Sequence, residues 1–326
     1  MEVRWIGPAG AERCALDDLP GLLGRDGGVV WVDVPPDDPD GARVLDEVFG
    51  FHPQAVADCL CRNPAPKLHV YGDHVFLVLH SPEPGAGGHV HTIELDVFLS
   101  TSLLVTVHGP LNPVVDEAVA MAETRAVAAR VDSGRWLPKT APEIAHAVVT
   151  GLNRHMSRHV AELTAATWEL ERKVTGGHLG DPEQFLSEMF GVMHGLQAVR
   201  TTSSLDHEIF GRMARLGSLG AEARELVEDA VDQFERVQTM AQAQKDSLQG
   251  VIMLYQTRTN TKMTVAAERL AVIAAVTLPV TAVSSVVGMN VIVNEQTHWA
   301  VLLVLLAVML AMSGSLLLWS RRQGWW

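Results

Sequence analysis

Two long runs without a formal charge constrain this chain more than any other feature. Residues 270–293 are 24 consecutive positions without Asp, Glu, Lys or Arg, and residues 296–320 are another 25. Each run exceeds the ~20 residues that a helix needs to cross a ~30 Å hydrocarbon core. The sequence therefore predicts two transmembrane helices, over 270–293 and 298–320, with an outer loop at 294–297 and a tail at 321–326.

The formal charge is divided unevenly along the chain. Beyond residue 269 the charged residues are Glu295, Arg321 and Arg322, so the net charge of −13 leaves −14 on the first 269 residues. Two apolar spans joined to an acidic remainder exclude a soluble enzyme and a basic nucleic-acid binder. Two spans are also too few to enclose an aqueous path, so a transporter of this kind would need several copies of the chain.

The charges beside the spans predict the topology. Lys262 and Arg269 precede the first span, and Arg321 and Arg322 follow the second. Because positive residues favour the cytoplasmic side, we expect both termini in the cytoplasm and the protein in the plasma membrane. The N-terminus has no apolar run of signal-peptide length, which agrees with a cytoplasmic location for the acidic part.

Residues 1–135 have the pattern of a cytoplasmic α/β domain. Short runs rich in β-branched residues alternate with Gly and Pro turns, as is typical of strands. The predicted strands are Val29–Val34, Val75–Leu79, Ile93–Leu99 and Leu103–Val107, and the predicted helices lie near Ala42–Phe49 and Pro53–Leu60. Residues 81–88, which are rich in Gly and Pro, are predicted to form a loop between two strands.

Residues 136–269 are predicted to form a helical and stalk region, because strand patterns end after Pro113. From Ala221 to Leu278 there is one glycine and no proline, and the chain enters the first apolar run without a stop signal. A single helix continuing to about Met289 would be ~100 Å long. It cannot bury its cytoplasmic faces alone, so we infer an oligomer.

One face of this long helix is free of charge. Steps of 3.6 residues define what we call the neutral stripe, made of small, apolar and uncharged polar residues. The neutral stripe consists of Asn260, Met263, Ala267, Leu270, Ala274, Thr277, Leu278 and Thr281. Such a face suits a pore that passes a hydrated ion without binding it tightly. It would equally suit a packing seam of small residues between membrane helices.

The first span ends in Gly288-Met289-Asn290, shortly before the second span begins. This tripeptide resembles the signature of the CorA family of divalent metal transporters. Further sequence segments that resemble this family are Phe49-Gly50-Phe51-His52-Pro53, Pro66-Lys67, Tyr71-Gly72-Asp73, Tyr255, Thr259-Asn260, Met263 and Leu278-Pro279-Val280-Thr281. The chain departs from the family at Val287 and Val291, where aromatic residues are usual, and Thr259-Asn260 lies about four residues farther from the tripeptide.

The resemblance implies a funnel-shaped homopentamer in which each chain has an α/β N-terminal cytoplasmic domain, a long α-helical stalk and two transmembrane helices. It also implies a channel that passes Mg²⁺ down its electrochemical gradient. Gly288, Met289 and Asn290 would form the selectivity filter, where neutral carbonyls accept hydrogen bonds from the ion's water shell. The alternative interpretation is that Asn290 simply caps the helix in a left-handed conformation.

Other functions remain open on the sequence. The alternatives are a transporter of Zn²⁺, Co²⁺ or Ni²⁺ with the same fold, and a non-conducting, membrane-anchored metal sensor. An enzyme is not expected, because the chain has no phosphate-cradling loop or nucleophile elbow. We expect no cofactor apart from Mg²⁺ as transported and regulatory ion, and the expected partners are the lipid bilayer, divalent ions and further copies of the chain.

The acidic residues supply two further candidate sites. Glu295 in the outer loop would attract cations to the pore mouth, unless it is only a solvated loop acid. In the family, intracellular Mg²⁺ held between cytoplasmic domains closes the channel. The candidates here are Glu225, Glu228 and Asp229, which share one helix face, with Glu83 as a weaker partner. A solvated helix face is the competing interpretation.

Cysteines and histidines give weaker metal signals. Cys59 and Cys61, together with Asp58, could bind a soft metal, but buried free thiols are the simpler interpretation of three cysteines. Six histidines with irregular spacing could bind Zn²⁺ or could simply be scattered over surface and core. They are His69, His74, His80, His89, His91 and His108.

Overall fold

The computed structural model describes residues 1–177, 181–216, 221–291 and 299–322. The chain divides into two compact units, Met1–Val251 and Ile252–Trp326. The first unit contains a β-sheet with helices, and the second contains the apolar helical segments.

A mixed seven-stranded sheet forms the centre of the first unit. The strands are β1 (Glu2–Gly7), β2 (Gly10–Cys14), β3 (Val29–Val34), β4 (Lys67–Val70), β5 (Val75–Pro84), β6 (Val90–Leu99) and β7 (Leu103–His108). Their order is β2-β1-β3-β7-β6-β5-β4. β3 pairs with β7 in parallel, and the other pairs are antiparallel. The four predicted strands are confirmed.

Two features of the sheet differ from the sequence prediction. β1, β2 and β4 were missed: β2 and β4 are short, with five and four residues, and all three strands carry polar or charged residues at sheet positions. The loop predicted for residues 81–88 was wrong over its first half: β5 continues to Pro84, opposite Val90 on β6. Prolines are tolerated there because β4 pairs only with Val75–Val78, which leaves the outer side of residues 79–84 without a partner strand.

As predicted, strands end before residue 113, and the described elements beyond it are helices. The described helices are α1 (Leu19–Leu23), α2 (Gly41–Arg43, extended by a π-turn at Val44–Val48), α3 (Pro53–Cys59), α4 (Glu117–Ala120), α5 (Ala122–Asp132), α6 (Ala141–Gly176), α7 (Pro182–Leu216), α8 (Ala221–Val291) and α9 (Trp299–Arg322). Single 3₁₀ turns lie at Leu16–Asp18 and Ala86–Gly88. α6 ends at Gly177, whose φ of 76° is a left-handed conformation that glycine adopts without strain.

Apolar cores cover both faces of the sheet. One core joins Trp31 and Leu104 of the sheet to Ile144 of α6, Phe210 of α7 and Phe234 of α8. The other core packs the opposite face of the sheet against α1, the π-turn and α3. The first core therefore takes residues from both sides of position 135, and the start of α8 is one of its components.

The second unit is built differently. It contains the later part of α8 and α9, and each of these helices has a window long and apolar enough to cross a membrane. Among its described side chains only Val272 and Ser320 are buried. A unit of apolar helices with almost no interior fits the two predicted spans, because its stabilising surroundings lie outside the single chain.

Candidate functional site

The neutral stripe lies on an open face of α8. All eight of its residues have exposed side chains in the single chain. On the far side of the same helix, Val272 is buried and Val276, Val280 and Val283 are half-buried. The second unit thus covers the valine side of α8 and leaves the neutral stripe accessible.

The threonines of the neutral stripe present acceptor oxygens to that open face. Thr277 donates its hydroxyl proton to the carbonyl of Ile273 at 2.8 Å, and Thr281 donates to the carbonyl of Thr277 at 2.8 Å. With the proton used inside the helix, each hydroxyl oxygen keeps its lone pairs for an external donor. The water shell of a cation offers such donors, so these positions fit a hydrated cation.

Pro279 interrupts the backbone hydrogen bonds between the two threonines. It lies inside α8 and has no N–H, so the carbonyl of Ala275 loses its usual helical donor. Thr277 is next to this gap and has a second, longer contact of 3.5 Å to the carbonyl of Ala274. Neither contact reaches the carbonyl of Ala275, so the proline leaves a local gap in the helical hydrogen bonds at the middle of the span.

The signature tripeptide lies in the last turn of α8. Gly288 is half-buried and has open space where a Cβ would be. The side chains of Met289 and Asn290 are outside the described part of the chain, as is Glu295 in the outer loop. The proposed ring of asparagine carbonyls and the cation-attracting role of Glu295 therefore remain predictions.

The acids predicted to sense metal lie on the first part of α8, with exposed side chains. Asp229 Oδ2 is 2.6 Å from His146 Nε2 of α6 and also accepts from Gln233 Nε2 at 2.6 Å. The hydrogen bond from His146 is the main reason that the pKa of Asp229 lies below its ordinary value. Glu228 forms an ion pair with Arg224 at 2.8 Å, while Glu225 is exposed to solvent.

Glu83 belongs to a different part of the unit. It lies at the end of β5, and its Oε2 is 2.9 Å from Nε2 of His155 on α6. Within one chain Glu83 therefore contacts α6 instead of the acids on α8. In the described residues no group of three His, Cys, Asp or Glu side chains is arranged to hold a metal ion. A regulatory site made from these acids would have to be completed by another copy of the chain.

The cysteine pair does not form a soft-metal site in the described residues. Cys59 is buried, and burial followed by the charge of Asp96 raises the pKa of its thiol far above the ordinary value. Burial also raises the pKa of Asp96, and the nearby Glu94 raises it further. A raised thiol pKa disfavours the thiolate, which is the form that ligates metals, and no metal-holding group of three His, Cys, Asp or Glu side chains occurs in the described residues. Cys61 is exposed and free.

The six histidines are dispersed among different partners. His108 contacts Asp33 at 3.0 Å in the buried sheet, and His74 contacts Asp73 at 2.7 Å on the surface. His80 is 3.8 Å from Glu94, and His91 is 3.3 Å from the side-chain amide of Asn112. This distribution agrees with scattered core and surface histidines.

Sequence reasoning also missed a buried carboxylic acid on α7. Asp206 is 1% exposed, and burial, offset only in part by the main chain of His80, raises its pKa well above the ordinary value. The helical phase of α7 was its only sequence signal: Ser203, Asp206 and Phe210 recur at the spacing of one buried face.

A family model and similar proteins agree on the kind of molecule. The model of the CorA-like Mg²⁺ transporter protein family matches residues 26–322. A curated relative is the "Putative metal ion transporter YfjQ" of Bacillus subtilis (strain 168), which is 23% identical over 303 residues, covering 90% of this chain and 89% of that protein.

Solved structures with the same fold cover the whole chain or its first part. The CorA magnesium transporter of Methanocaldococcus jannaschii has a TM-score of 0.80 at 16% identity, covering 100% of this chain and 99% of that one. The cytoplasmic domain of ZntB from Vibrio parahaemolyticus RIMD 2210633 has a TM-score of 0.62 at 10% identity, covering 80% of this chain and 98% of that one. Both similarities concern the fold.

Proposed function

Because this chain belongs to the CorA-like Mg²⁺ transporter family, we propose that it is a homopentameric channel that passes hydrated Mg²⁺ down its electrochemical gradient. The family is one of divalent metal ion transporters and not of enzymes. The observation that carries the proposal is the open neutral stripe of α8, which combines uncharged side chains with threonine oxygens free to accept hydrogen bonds.

The absence of charge on the neutral stripe favours one of two modes of ion passage. Mg²⁺ loses its water reluctantly, so a route that strips the ion would have to supply close oxygen ligands in octahedral geometry. A neutral face with hydroxyl acceptors instead contacts the water shell and lets the ion leave. The neutral stripe therefore supports conduction of the hydrated ion.

Selection would occur at the end of the stripe, in the tripeptide Gly288-Met289-Asn290. Five Asn290 carbonyls around one axis would accept hydrogen bonds from the waters of Mg²⁺ at a single level. A carboxylate in place of Asn290 would hold the ion more tightly and release it more slowly. Glu295 would raise the cation concentration outside this ring.

The structure of the second unit supports an assembly of several copies, and the number five is what the family resemblance implies. Two apolar helices with Val272 and Ser320 as their buried described residues cannot enclose water within one chain. Several copies arranged around the neutral stripe would line a pore and place α9 outside, towards lipid. With both termini in the cytoplasm, the acidic first unit would face the cell interior.

The direct test of the transported ion is flux into proteoliposomes. Purified protein is reconstituted with an inside-negative potential, and entry of Mg²⁺, Zn²⁺, Co²⁺ and Ni²⁺ is measured side by side. We expect Mg²⁺ entry that follows the potential. Flux of none of the four ions would contradict the channel and favour a non-conducting metal sensor.

A transporter of Zn²⁺ is the second candidate. It is favoured by the similarity of the first unit to the cytoplasmic domain of ZntB. The same flux panel separates the two, because Zn²⁺ entry that exceeds Mg²⁺ entry at equal driving force would assign the protein to Zn²⁺.

We propose that Glu225, Glu228 and Asp229 regulate the channel by binding intracellular Mg²⁺ between neighbouring chains. All three are exposed on one face of α8, where repulsion between copies would loosen the assembly without a cation. A bound ion that prefers the closed arrangement would stabilise that arrangement.

Neutralising these three acids to Gln or Asn tests the regulation. Protease resistance of the wild-type protein should increase with millimolar Mg²⁺, and the variant should lose this dependence. A matched control neutralises Asp17, Asp26 and Glu47, three exposed acids far away in sequence. Full Mg²⁺-dependent protection in the first variant would show that the sensing acids lie elsewhere.

A further inference from the structure

Three cations follow one another on the side of α8 that faces away from the neutral stripe. At 100° per residue, Arg258, Lys262 and Arg269 fall within about 40° of one another around the helix axis. Their common direction is about 135° from the centre of the neutral stripe. We call them the basic stripe. All three side chains are exposed.

The basic stripe continues directly into the valine side of the span. Val276 and Val280 project within about 20° of its centre, and Val272 and Val283 within about 60°. The basic stripe ends at Arg269, immediately before the charge-free run from Leu270. Since the valine side is covered and the neutral stripe is open, the basic stripe lies at the end of the span on the side turned away from the proposed pore, where cations beside a span are expected at the cytoplasmic membrane surface.

The end of α9 carries two more cations. Arg321 and Arg322 lie in its last turn, and in the proposed two-span topology this turn would reach the same membrane surface as Arg269. Lys262, Arg269, Arg321 and Arg322 have no carboxylate at ion-pair distance among the described residues. The nearest acid in sequence, Glu268, projects about 100° away from the basic stripe.

We propose that the basic stripe, together with Arg321 and Arg322, binds the phosphate groups of anionic phospholipid headgroups. The proposal rests on the proposed two-span topology but does not depend on which ion is conducted. Guanidinium and ammonium groups pair with phosphate oxygens. Juxtamembrane Lys and Arg gain binding energy from an anionic leaflet, whereas the neutral stripe on the opposite face contributes none.

Distance from the membrane predicts that the three α8 cations differ in effect. Lys262 is about 10 Å and Arg258 about 16 Å below Arg269 along the helix. The headgroup layer is only about 5–8 Å thick, and the potential beyond it decays over about 8 Å. Arg269 should therefore contribute most, Lys262 less and Arg258 least.

The test is a competition between lipids for the purified full-length protein. Protein in mild detergent is mixed with equal amounts of phosphatidylglycerol and phosphatidylcholine, and bound lipid is counted by native mass spectrometry. We expect a preference for phosphatidylglycerol that falls about five-fold in Arg269→Gln and further in Lys262→Gln/Arg269→Gln. Arg258→Gln should have the smallest effect, and excess inorganic phosphate should leave the bound lipid in place.

Two controls separate lipid binding from damage to the fold. Arg236→Gln removes an exposed cation from the same helix 33 residues before Arg269 and should keep the wild-type preference. Arg269→Lys keeps the charge and should also keep it. An unchanged preference in the double variant would overturn the proposal. An equal loss of the phosphatidylglycerol preference in Arg236→Gln would also overturn the proposal. A variant that changes oligomer mass without changing lipid preference would overturn it too, since the cations would then pair with a neighbouring chain.

The lipid result is independent of transport. A wild-type protein that prefers phosphatidylglycerol through the basic stripe but conducts no divalent ion would refute the proposed channel and leave the headgroup site standing. A protein that conducts divalent ions but shows no lipid preference would refute the headgroup site and leave the proposed channel standing.

Discussion

The two units of this chain differ in how much of their side-chain surface is buried within the chain. In Met1–Val251, apolar cores cover both faces of a sheet, and one buried polar chain connects two neighbouring strands: Trp31 donates to Thr106 at 3.1 Å, and Thr106 donates to Asp33 at 2.5 Å. In Ile252–Trp326, only Val272 and Ser320 are buried among the described side chains. The first unit carries its stabilising contacts within one chain, whereas the second leaves almost all of its described side chains to surroundings outside that chain.

This difference predicts which substitutions affect folding and which affect conduction and assembly. Because α8 contributes to both units, the same helix is a core element near Phe234 and is largely exposed from Thr257 onward, where Val272 is its one buried described side chain. Substitutions early in α8 should therefore affect folding, and substitutions later in α8 should affect conduction and assembly. The predictions below test this division, beginning with the largest expected effect.

The largest effect is expected from truncating Phe234. Its ring is fully buried and lies 5.3 Å from that of Phe210, centroid to centroid. Phe234→Ala should lower the stability of the first unit by about 3–5 kcal/mol through lost burial and a residual cavity. The measurement is thermal unfolding of the full-length protein in detergent, followed by circular dichroism.

The matched control is Leu310→Ala on α9, where the side chain is 72% exposed. Lipid or detergent tails are as apolar as leucine, so the expected change is within about 1 kcal/mol. Equal destabilisation by both variants would contradict the division into a self-packed unit and a unit packed by its surroundings.

The next prediction uses the buried acid of α7. The folded-state pKa of Asp206 is raised, so the folded protein binds the proton more tightly than the unfolded chain. Stability should therefore fall as pH rises from about 4 through the folded-state pKa. Asp206→Asn cannot ionise and should remove this part of the decline, with a gain of roughly 1–3 kcal/mol at pH 7. Unfolding curves of wild type and variant across pH check it, and parallel curves would contradict it.

A smaller effect is expected from cysteines that report the phase of α8. In a background with Cys14 and Cys61 replaced by Ser, cysteine at Thr281 or Asn260 should react several-fold faster with a water-soluble thiol reagent than cysteine at Val283 or Lys262. The first pair lies on the neutral stripe and the second pair away from it. The reverse order would move the pore to another face of the helix.

Much of the first unit was predictable from its sequence pattern. Val29–Val34 is a strand with the predicted bounds, because a buried strand of β-branched residues has a clear signature. β1 was missed because it places a charged residue in the interior: Arg4 is buried against Trp31 and is paired with Asp132. Local sequence contains no sign of Asp132, which follows Arg4 by 128 positions.

The candidate site was predictable from the sequence only in part. Helical phase was enough to place the neutral stripe on one exposed face, because α8 continues without a break to Val291. Phase could not supply the partners of the regulatory acids: His146, which holds Asp229, lies 83 residues away on α6. The basic stripe was present in the spacing of Arg258, Lys262 and Arg269, but Lys262 and Arg269 served only to predict the topology and Arg258 entered no prediction.

We propose that five Asn290 side chains select hydrated Mg²⁺ at the end of an open neutral stripe. Mg²⁺ flux through Asn290→Ala in proteoliposomes, with oligomer mass measured on the same sample, tests this role. We expect an unchanged pentamer whose Mg²⁺ entry falls by about ten-fold or more, equivalent to roughly 1.4 kcal/mol of lost interaction with the water shell. Wild-type flux through an intact Asn290→Ala pentamer would contradict it.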